Sequence, residues 1–214
     1  MIAHLFSIRV RPLLLSLLCL LAGGCNTIVT PPPASQIYSL RPLPVDQIKQ
    51  PRQPVNLVVA RPSASPGLQQ ELIPLLRPNH QLGYYARARW AAPIPELLRF
   101  YLIDSVQNQD LVQSVTGDTR FAGHNYRLDV HIQDFQAEYE SDDEPPTVNL
   151  KLAFTLTDIA RRQAVTSFVE RIDVTAESNR LSAVVQAFQR ATEQATGNAI
   201  RRIGSALAKP TDGP

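Results

Sequence analysis

The side chains with the clearest potential for chemistry are Asp129, His131 and Asp134. Residues two apart in a strand share a face, so Asp129 and His131 have the spacing of an acid–base dyad or of two metal ligands. The sequence supplies no third ligand at strand spacing, and no serine stands in the glycine-flanked turn that presents a nucleophile. We therefore predict a solvated strand face here, with no catalytic residue, no metal site and no enzymatic activity.

Motifs for other ligand chemistry are missing from the sequence as well. The acidic run at 138–144 lacks the glycine and the ligand spacing of a calcium-binding loop. Neither of the glycine-rich motifs that hold phosphate groups occurs. We therefore expect no bound cofactor.

The two cysteines, Cys19 and Cys25, lie in an N-terminal segment that is typical of an export signal. Two arginines precede the apolar run LLLSLLCLL at 13–21, which is too short to span a membrane as a helix. The run ends in LAGGC at 21–25, which resembles a bacterial lipobox except that the leucine stands four residues before the cysteine instead of three. We predict a lipoprotein signal peptide at 1–24 and lipidation of Cys25. The alternative is an ordinary secretory signal in which the cysteine has no role.

A lipid on Cys25 would be the only covalent group on the mature chain. Each buried methylene stabilises membrane attachment by about 0.8 kcal/mol, so several acyl chains make release negligible. Asn26 follows the cysteine, whereas an aspartate there resembles the inner-membrane retention signal, so we predict the periplasmic face of the outer membrane. Removal of residues 1–24 leaves as many basic as acidic side chains, which argues against a nucleic-acid partner.

The rest of the chain has the composition of one folded domain. Of the 214 residues of the whole chain, 44% are apolar and 19% are charged, enough to bury a core. Three consecutive prolines at 31–33 favour an extended spacer of about 30 Å. We predict a lipidated, proline-rich tether at 25–35, a single domain at 36–209 and a disordered tail at 210–214.

Hydrophobic periodicity predicts an α+β fold: a mixed, largely antiparallel β-sheet with two main helices packed on one face, that is, a two-layer α/β sandwich. Pro74 places its strand at a sheet edge, and a change of phase near Gln133 indicates a bulge. The predicted strands are 37–40, 55–60, 72–76, 83–92, 111–115, 126–139, 148–156 and 164–174, and the predicted helices are 93–109 and 179–208.

One strand has an unusual mixture of aromatic and basic residues: Tyr84, Tyr85, Arg87, Arg89 and Trp90. Arginine stacks on rings and binds phosphate or carboxylate through two parallel hydrogen bonds. These five residues are therefore a candidate surface for lipid headgroups or for an acidic partner. The alternative is that the preference for arginine over lysine reflects composition alone.

Five segments together resemble one family over nearly all of the mature chain. They are IYSL at 37–40, VVARP at 58–62, LGYYARARWA at 82–91, PELL at 95–98 and YRL at 126–128. The chain resembles the ABC-type transport auxiliary lipoproteins, of which paraquat-inducible protein C is the best-known branch. The tyrosine-to-tryptophan segment is the most specific part of the resemblance.

The resemblance implies a non-enzymatic lipoprotein of the outer membrane that works with proteins of the mammalian-cell-entry (MCE) type in phospholipid transport between the two membranes. Its implied partners are an MCE-domain protein with its permease and ATPase, and further copies of the chain in a homo-oligomer. Only Cys25 carries over as a functional residue. The alternatives are a stand-alone lipid-binding or envelope-structural lipoprotein, and a periplasmic hydrolase that uses Asp129 and His131.

Overall fold

The computed structural model describes residues 34–118, 123 and 125–208. The predicted signal peptide, Cys25, nearly all of the predicted tether and the predicted tail lie outside the described residues. From Ser35 onward the chain forms one compact unit.

Nine strands and two helices make up the described part of the chain. Their order and bounds are β1 (Gln36–Tyr38), β2 (Gln53–Val59), β3 (Ser63–Ala64), β4 (Leu72–Leu76), β5 (Leu82–Trp90), α1 (Ile94–Asn108), β6 (Val112–Thr116), β7 (Tyr126–Glu138), β8 (Thr147–Asp158), β9 (Gln163–Thr175) and α2 (Leu181–Leu207).

All nine strands belong to one sheet, in which β7 is the central strand. Along one side, β7 pairs antiparallel with β8, and β8 pairs antiparallel with β9. The register between β7 and β8 shifts between Ile132 and Asp134, which confirms the predicted bulge. The α+β fold with a mixed sheet is confirmed, and most of the ladder is antiparallel.

The other side of β7 accepts three short parallel strands in succession. The strands β2, β3 and β4 pair with its beginning, middle and end. The other edge of β2 pairs with β6. The other edge of β4 pairs with β5, and β5 in turn pairs with β1. The pairings of β6 with β2 and of β1 with β5 are parallel, whereas β5 pairs antiparallel with β4.

Strand β4 is an interior strand, so the edge position predicted from Pro74 is wrong. It pairs with β5 on one side and with β7 on the other. The ladder to β7 begins only at Leu75, which lies opposite Ala137. Pro74 therefore precedes the first residue of β4 that pairs with β7. Its missing N–H removes no hydrogen bond between these two strands, so β4 can lie inside the sheet.

The hydrophobic core lies between one face of the sheet and the two helices. Every second residue of β8, from Val148 to Leu156, is buried, as expected for a strand with one covered face. Helix α2 buries alanine at four-residue intervals from Ala187 to Ala199, and these small side chains allow a close approach to the sheet. The opposite face of β7, β8 and β9 carries mainly polar side chains.

Candidate functional site

The candidate surface on β5 is built around a large β-bulge. In the pairing of β5 with β4, Tyr84 lies opposite Pro74, and Arg89 lies opposite Leu72. Four residues of β5, 85–88, therefore face a single residue of β4. An insertion of this kind bends the strand and turns its side chains out of the regular alternation.

Arg87 lies inside this bulge with a φ of 56°, in the left-handed region. Four other described non-glycine residues have a positive φ, namely Asp46, His80, Asp110 and Arg162, and all four lie in turns or bends. Only Arg87 has this conformation within a strand. A non-glycine residue held there costs about 1–2 kcal/mol, so the surrounding ladder must impose the conformation.

The side chain of Arg87 is exposed, and it forms no hydrogen bond or ion pair with any described residue. By contrast, Nη1 of Arg89 lies 2.9 Å from Oε2 of Glu71, so this charge is compensated within the domain. Ile37 of β1 is the register partner of Arg89 and is 58% exposed. We call Ile37, Ala86, Arg87 and Arg89 the bulge surface: one uncompensated cation beside an exposed apolar residue.

The two tyrosines of the candidate surface use their hydroxyls inside the domain. Tyr84 donates a hydrogen bond to the carbonyl of Gly67 at 3.2 Å. The hydroxyls of Tyr85 and Tyr139 are 2.8 Å apart, and Tyr139 also donates to Asn179. Burial and the bond to Tyr139 raise the pKa of Tyr85, which keeps the phenol neutral. Each tyrosine hydroxyl therefore has a hydrogen-bond partner within the domain.

Trp90 is a core residue, so its predicted role at the surface is corrected. Its side chain is 0% exposed, and its ring meets Phe135 and Phe188 edge-on at centroid distances of 5.8 and 5.3 Å. Ala88 and Trp90 share the face of β5 that is covered by the helices. The aromatic content of the segment therefore serves packing, whereas its arginines stay at the surface.

The residues weighed for acid–base chemistry form two separate pairs. Arg127 donates hydrogen bonds to the carboxylate of Asp129 from Nε at 2.9 Å and from Nη2 at 2.8 Å. Nδ1 of His131 lies 2.8 Å from Oγ of Ser63, a contact that sequence reasoning missed because the two residues are distant in the chain and meet only where β3 pairs with β7. No carboxylate is hydrogen-bonded to His131 among the described residues. In the same part of the chain, no three potential ligands cluster to hold a metal.

A double substitution tests whether this face has any chemical role. We expect Asp129→Ala/His131→Ala to leave cellular function unchanged, since both side chains are at the surface and Asp129 is already bound by Arg127. The measurement is growth under envelope stress in a strain that carries the double variant as its only copy. A loss of function with normal protein levels would revive the hydrolase alternative.

No helix within the described ranges is long and apolar enough to cross a membrane.

Comparisons with known proteins agree with this architecture. The structure is similar to protein XCC0632 from Xanthomonas campestris, of the DUF330 family model, with a TM-score of 0.73, 21% identity, and coverage of 80% of this chain and 96% of that one. It is also similar to an uncharacterized protein with a TM-score of 0.61 at 16% identity, covering 79% of this chain and 99% of that one. The hypothetical protein CT253 from Chlamydia trachomatis has a TM-score of 0.52 at 7% identity, covering 72% of this chain and 98% of that one. At these identities the likeness establishes the fold alone.

No curated protein matches the sequence. A family model does match it, over residues 38–199, and this range runs from the end of β1 into the last third of α2. The match includes the bulge in β5, the central strand β7 and the helix that covers the sheet. This chain therefore belongs to the family of ABC-type transport auxiliary lipoprotein components.

Proposed function

We propose that this protein is a lipid-anchored periplasmic subunit of an MCE-type phospholipid transport system, and that it docks or stabilises the transport complex at the outer membrane. Membership of the auxiliary lipoprotein family supports an envelope role in transport. The lipobox-like segment ending at Cys25 supports attachment through lipid, and Asn26 supports sorting to the outer membrane. In this role the protein binds and positions its partners and catalyses no reaction.

The bulge surface is the observation that carries the docking role. Arg87 is held in a strained conformation, exposed and without a counter-charge, and strain of this kind is concentrated at functional sites. An uncompensated arginine beside the exposed Ile37 fits a partner surface that presents a carboxylate next to apolar groups. We assign this surface to the MCE-domain protein.

The position of the bulge in the chain supports the same assignment. Gln36, the first residue of β1, is the register partner of Ala88, so the chain enters the sheet directly beside Arg87. The predicted tether ends one residue earlier, at Ser35. A partner that binds the bulge surface would therefore contact the domain where its membrane attachment begins.

The test is co-purification of the MCE-domain protein with charge-reversed variants. Arg87→Glu should reduce the recovered partner by about tenfold or more, because like charges placed together at an interface cost several kcal/mol. Arg162→Glu is the matched control: Arg162 is also exposed, also has a positive φ of 54°, and lies in the turn between β8 and β9. Equal recovery with the two variants would contradict the assignment.

Arg87→Gly separates docking from folding. Glycine adopts a positive φ without strain, so this variant should gain stability, by about 1 kcal/mol, while it loses the contact of the guanidinium. Urea unfolding measures the first effect and co-purification measures the second. Weaker binding by a more stable protein would exclude misfolding as the cause.

We also propose that copies of the chain associate in the working complex. Supporting this, the sheet ends in a long strand, β9, whose outer edge is unpaired within the described residues.

A second candidate function, lipid binding without a transporter, is favoured by a surface groove. The groove has a volume of about 600 Å³ and is lined by Arg99, Phe100, Ile103 and Val115. Phe100 is 58% exposed, so the groove offers apolar contact near a basic side chain. A phospholipid retained by monomers in native mass spectrometry, without any MCE-domain partner, would favour this second function.

A further inference from the structure

Strand β9 has a complete unpaired edge. It pairs with β8 along its 13 residues, and no other described strand pairs with it. An edge of this length offers its backbone N–H and C=O groups to another strand. Natural proteins often block such edges with proline, with bulges, with charged side chains on the edge or with charges that point inward. The strand contains no proline, and the register shift in its pairing with β8, at Leu156 and Thr157, lies near its start. Its one inward charge, Glu170, is held by Arg202 at 3.0 Å and by Asn198 at 2.9 Å.

The outward face of this edge carries charges whose partners are missing. Arg171 lies directly opposite Lys151 of β8, and like charges at such positions destabilise a sheet. Asp173 lies opposite Asn149. In the described chain none of Lys151, Arg171 and Asp173 takes part in an ion pair. A carboxylate placed opposite Arg171 across the open edge would compensate this charge.

We propose that a second copy of this chain adds its own β9 to this edge, antiparallel, with the two-fold axis at Ile172. In an antiparallel pair, opposing residues share a face. With the axis at Ile172, Arg171 of each copy lies opposite Asp173 of the other, so one contact forms two ion pairs. The ladder covers residues 169–175 of both copies, and the two Ile172 side chains meet on the inner face.

Neighbouring registers lack this complementarity. An axis at Arg171 would place the two guanidinium groups opposite each other, and an axis at Asp173 would do the same with two carboxylates. An axis at Glu170 would oppose two inward-facing acids. Exposed ion pairs stabilise only modestly, so the charges select register and direction, while the backbone ladder and the apolar contact at Ile172 hold the copies together.

This inference rests on the proposed association of copies and specifies the surface that forms it. Its test uses the full lipidated chain in the oxidising periplasm, where Cys25 is blocked by lipid and Cys19 has left with the signal, so that an introduced thiol is the only one. Ile172→Cys should form a disulfide with its own counterpart, because a residue at a two-fold axis lies next to itself. Cross-linked dimer on a non-reducing gel is the readout.

Val169→Cys is the matched control. Val169 is 48% exposed, so it is more accessible than the half-buried Ile172. In the proposed register it lies opposite Thr175 and far from its own counterpart. It should therefore cross-link about tenfold less than Ile172→Cys, since disulfides need Cα atoms within roughly 7 Å. Equal or stronger cross-linking through Val169→Cys would overturn the register.

Charge exchange provides a second test that does not depend on the new cysteine being tolerated. Arg171→Asp and Asp173→Arg should each weaken association by about tenfold in analytical ultracentrifugation, because each places like charges opposite each other twice. The double variant R171D/D173R should restore association. Arg171→Asp also removes the repulsion by Lys151, and urea unfolding of each single variant checks that the domain stays folded. Failure of the double variant to rescue would overturn the proposal.

The proposed function can fail separately from this contact. The MCE-domain protein is co-purified with the same charge variants. If partner recovery is normal while the cross-link at position 172 is absent, the β9 contact is wrong and the docking role stands. If the cross-link forms and no partner is recovered, the dimer stands and the docking role is wrong.

Discussion

A Cys25→Ser variant should lose its attachment to the outer membrane. The predicted acyl chains are carried by the cysteine thiol and by the amine that cleavage in front of it exposes, and a serine at this position blocks both modifications. Each buried methylene contributes about 0.8 kcal/mol, so the lipidated chain stays in the outer membrane, whereas the variant carries no lipid that could hold it there. The expected result is no palmitate label and no protein in the outer-membrane fraction of a density gradient.

The other cysteine provides the control for this experiment. Cys19→Ser changes the same atom within the apolar run of the predicted signal peptide and leaves the lipobox-like segment intact. It should be labelled and should sediment with the outer membrane like the unchanged protein. Palmitate label that persists in Cys25→Ser, or its loss from Cys19→Ser, would show that Cys25 is not the lipidated residue.

Local patterns predicted most of the elements because each pattern reports which face of that element is covered. Alternation along 126–139 predicted β7, and its change of phase predicted the bulge that the structure has between Ile132 and Asp134. The apolar stripe of the last helix predicted α2, with Phe188 on its covered side. Both elements contact a single core, so each residue's burial follows from its own strand or helix.

Non-local pairing was beyond the reach of such patterns. Nothing local to Ser63 indicates that β3 will lie along the middle of β7, so its contact with His131 could not be predicted. The interior position of β4 was missed for the same reason, because Pro74 restricts only the rungs it would itself form. The bulge in β5 depends on how residues 85–88 fit against Ile73, which again is set by the partner strand.

The assignment of Trp90 to a surface failed because an aromatic residue suits a core and an interface equally well. Alternation placed Trp90 on the same face as Ala88, and that face is covered by the helices. The sequence could not tell which arginine of this segment is free to bind a partner. The structure shows that Arg89 is paired with Glu71 and that Arg87 is unpaired. The candidate site is therefore a bulge with one exposed cation.

Phe188→Ala should be among the most destabilising single substitutions in the domain. The Phe188 ring on α2 lies 5.3 Å from the ring of Trp90 on β5 and 4.8 Å from that of Phe135 on β7, so it joins the helix to the central strand and to β5. Its side chain is 0% exposed. Removing a buried phenyl ring costs about 3–5 kcal/mol, which is a large share of the 5–15 kcal/mol that stabilises a typical domain.

Phe100→Ala is the matched control, since it removes the same ring from a helix at a position that is 58% exposed. Exposed substitutions usually change stability by no more than about 0.5 kcal/mol, so the two variants should differ severalfold in urea unfolding at equal slope. A loss below about 1 kcal/mol for Phe188→Ala would mean that α2 is held to the sheet mainly by its alanine contacts.

A large loss of stability in Phe188→Ala together with unchanged lipidation of Cys25 would show that anchoring and folding are independent. This result is expected if the modification precedes folding and depends only on the N-terminal segment.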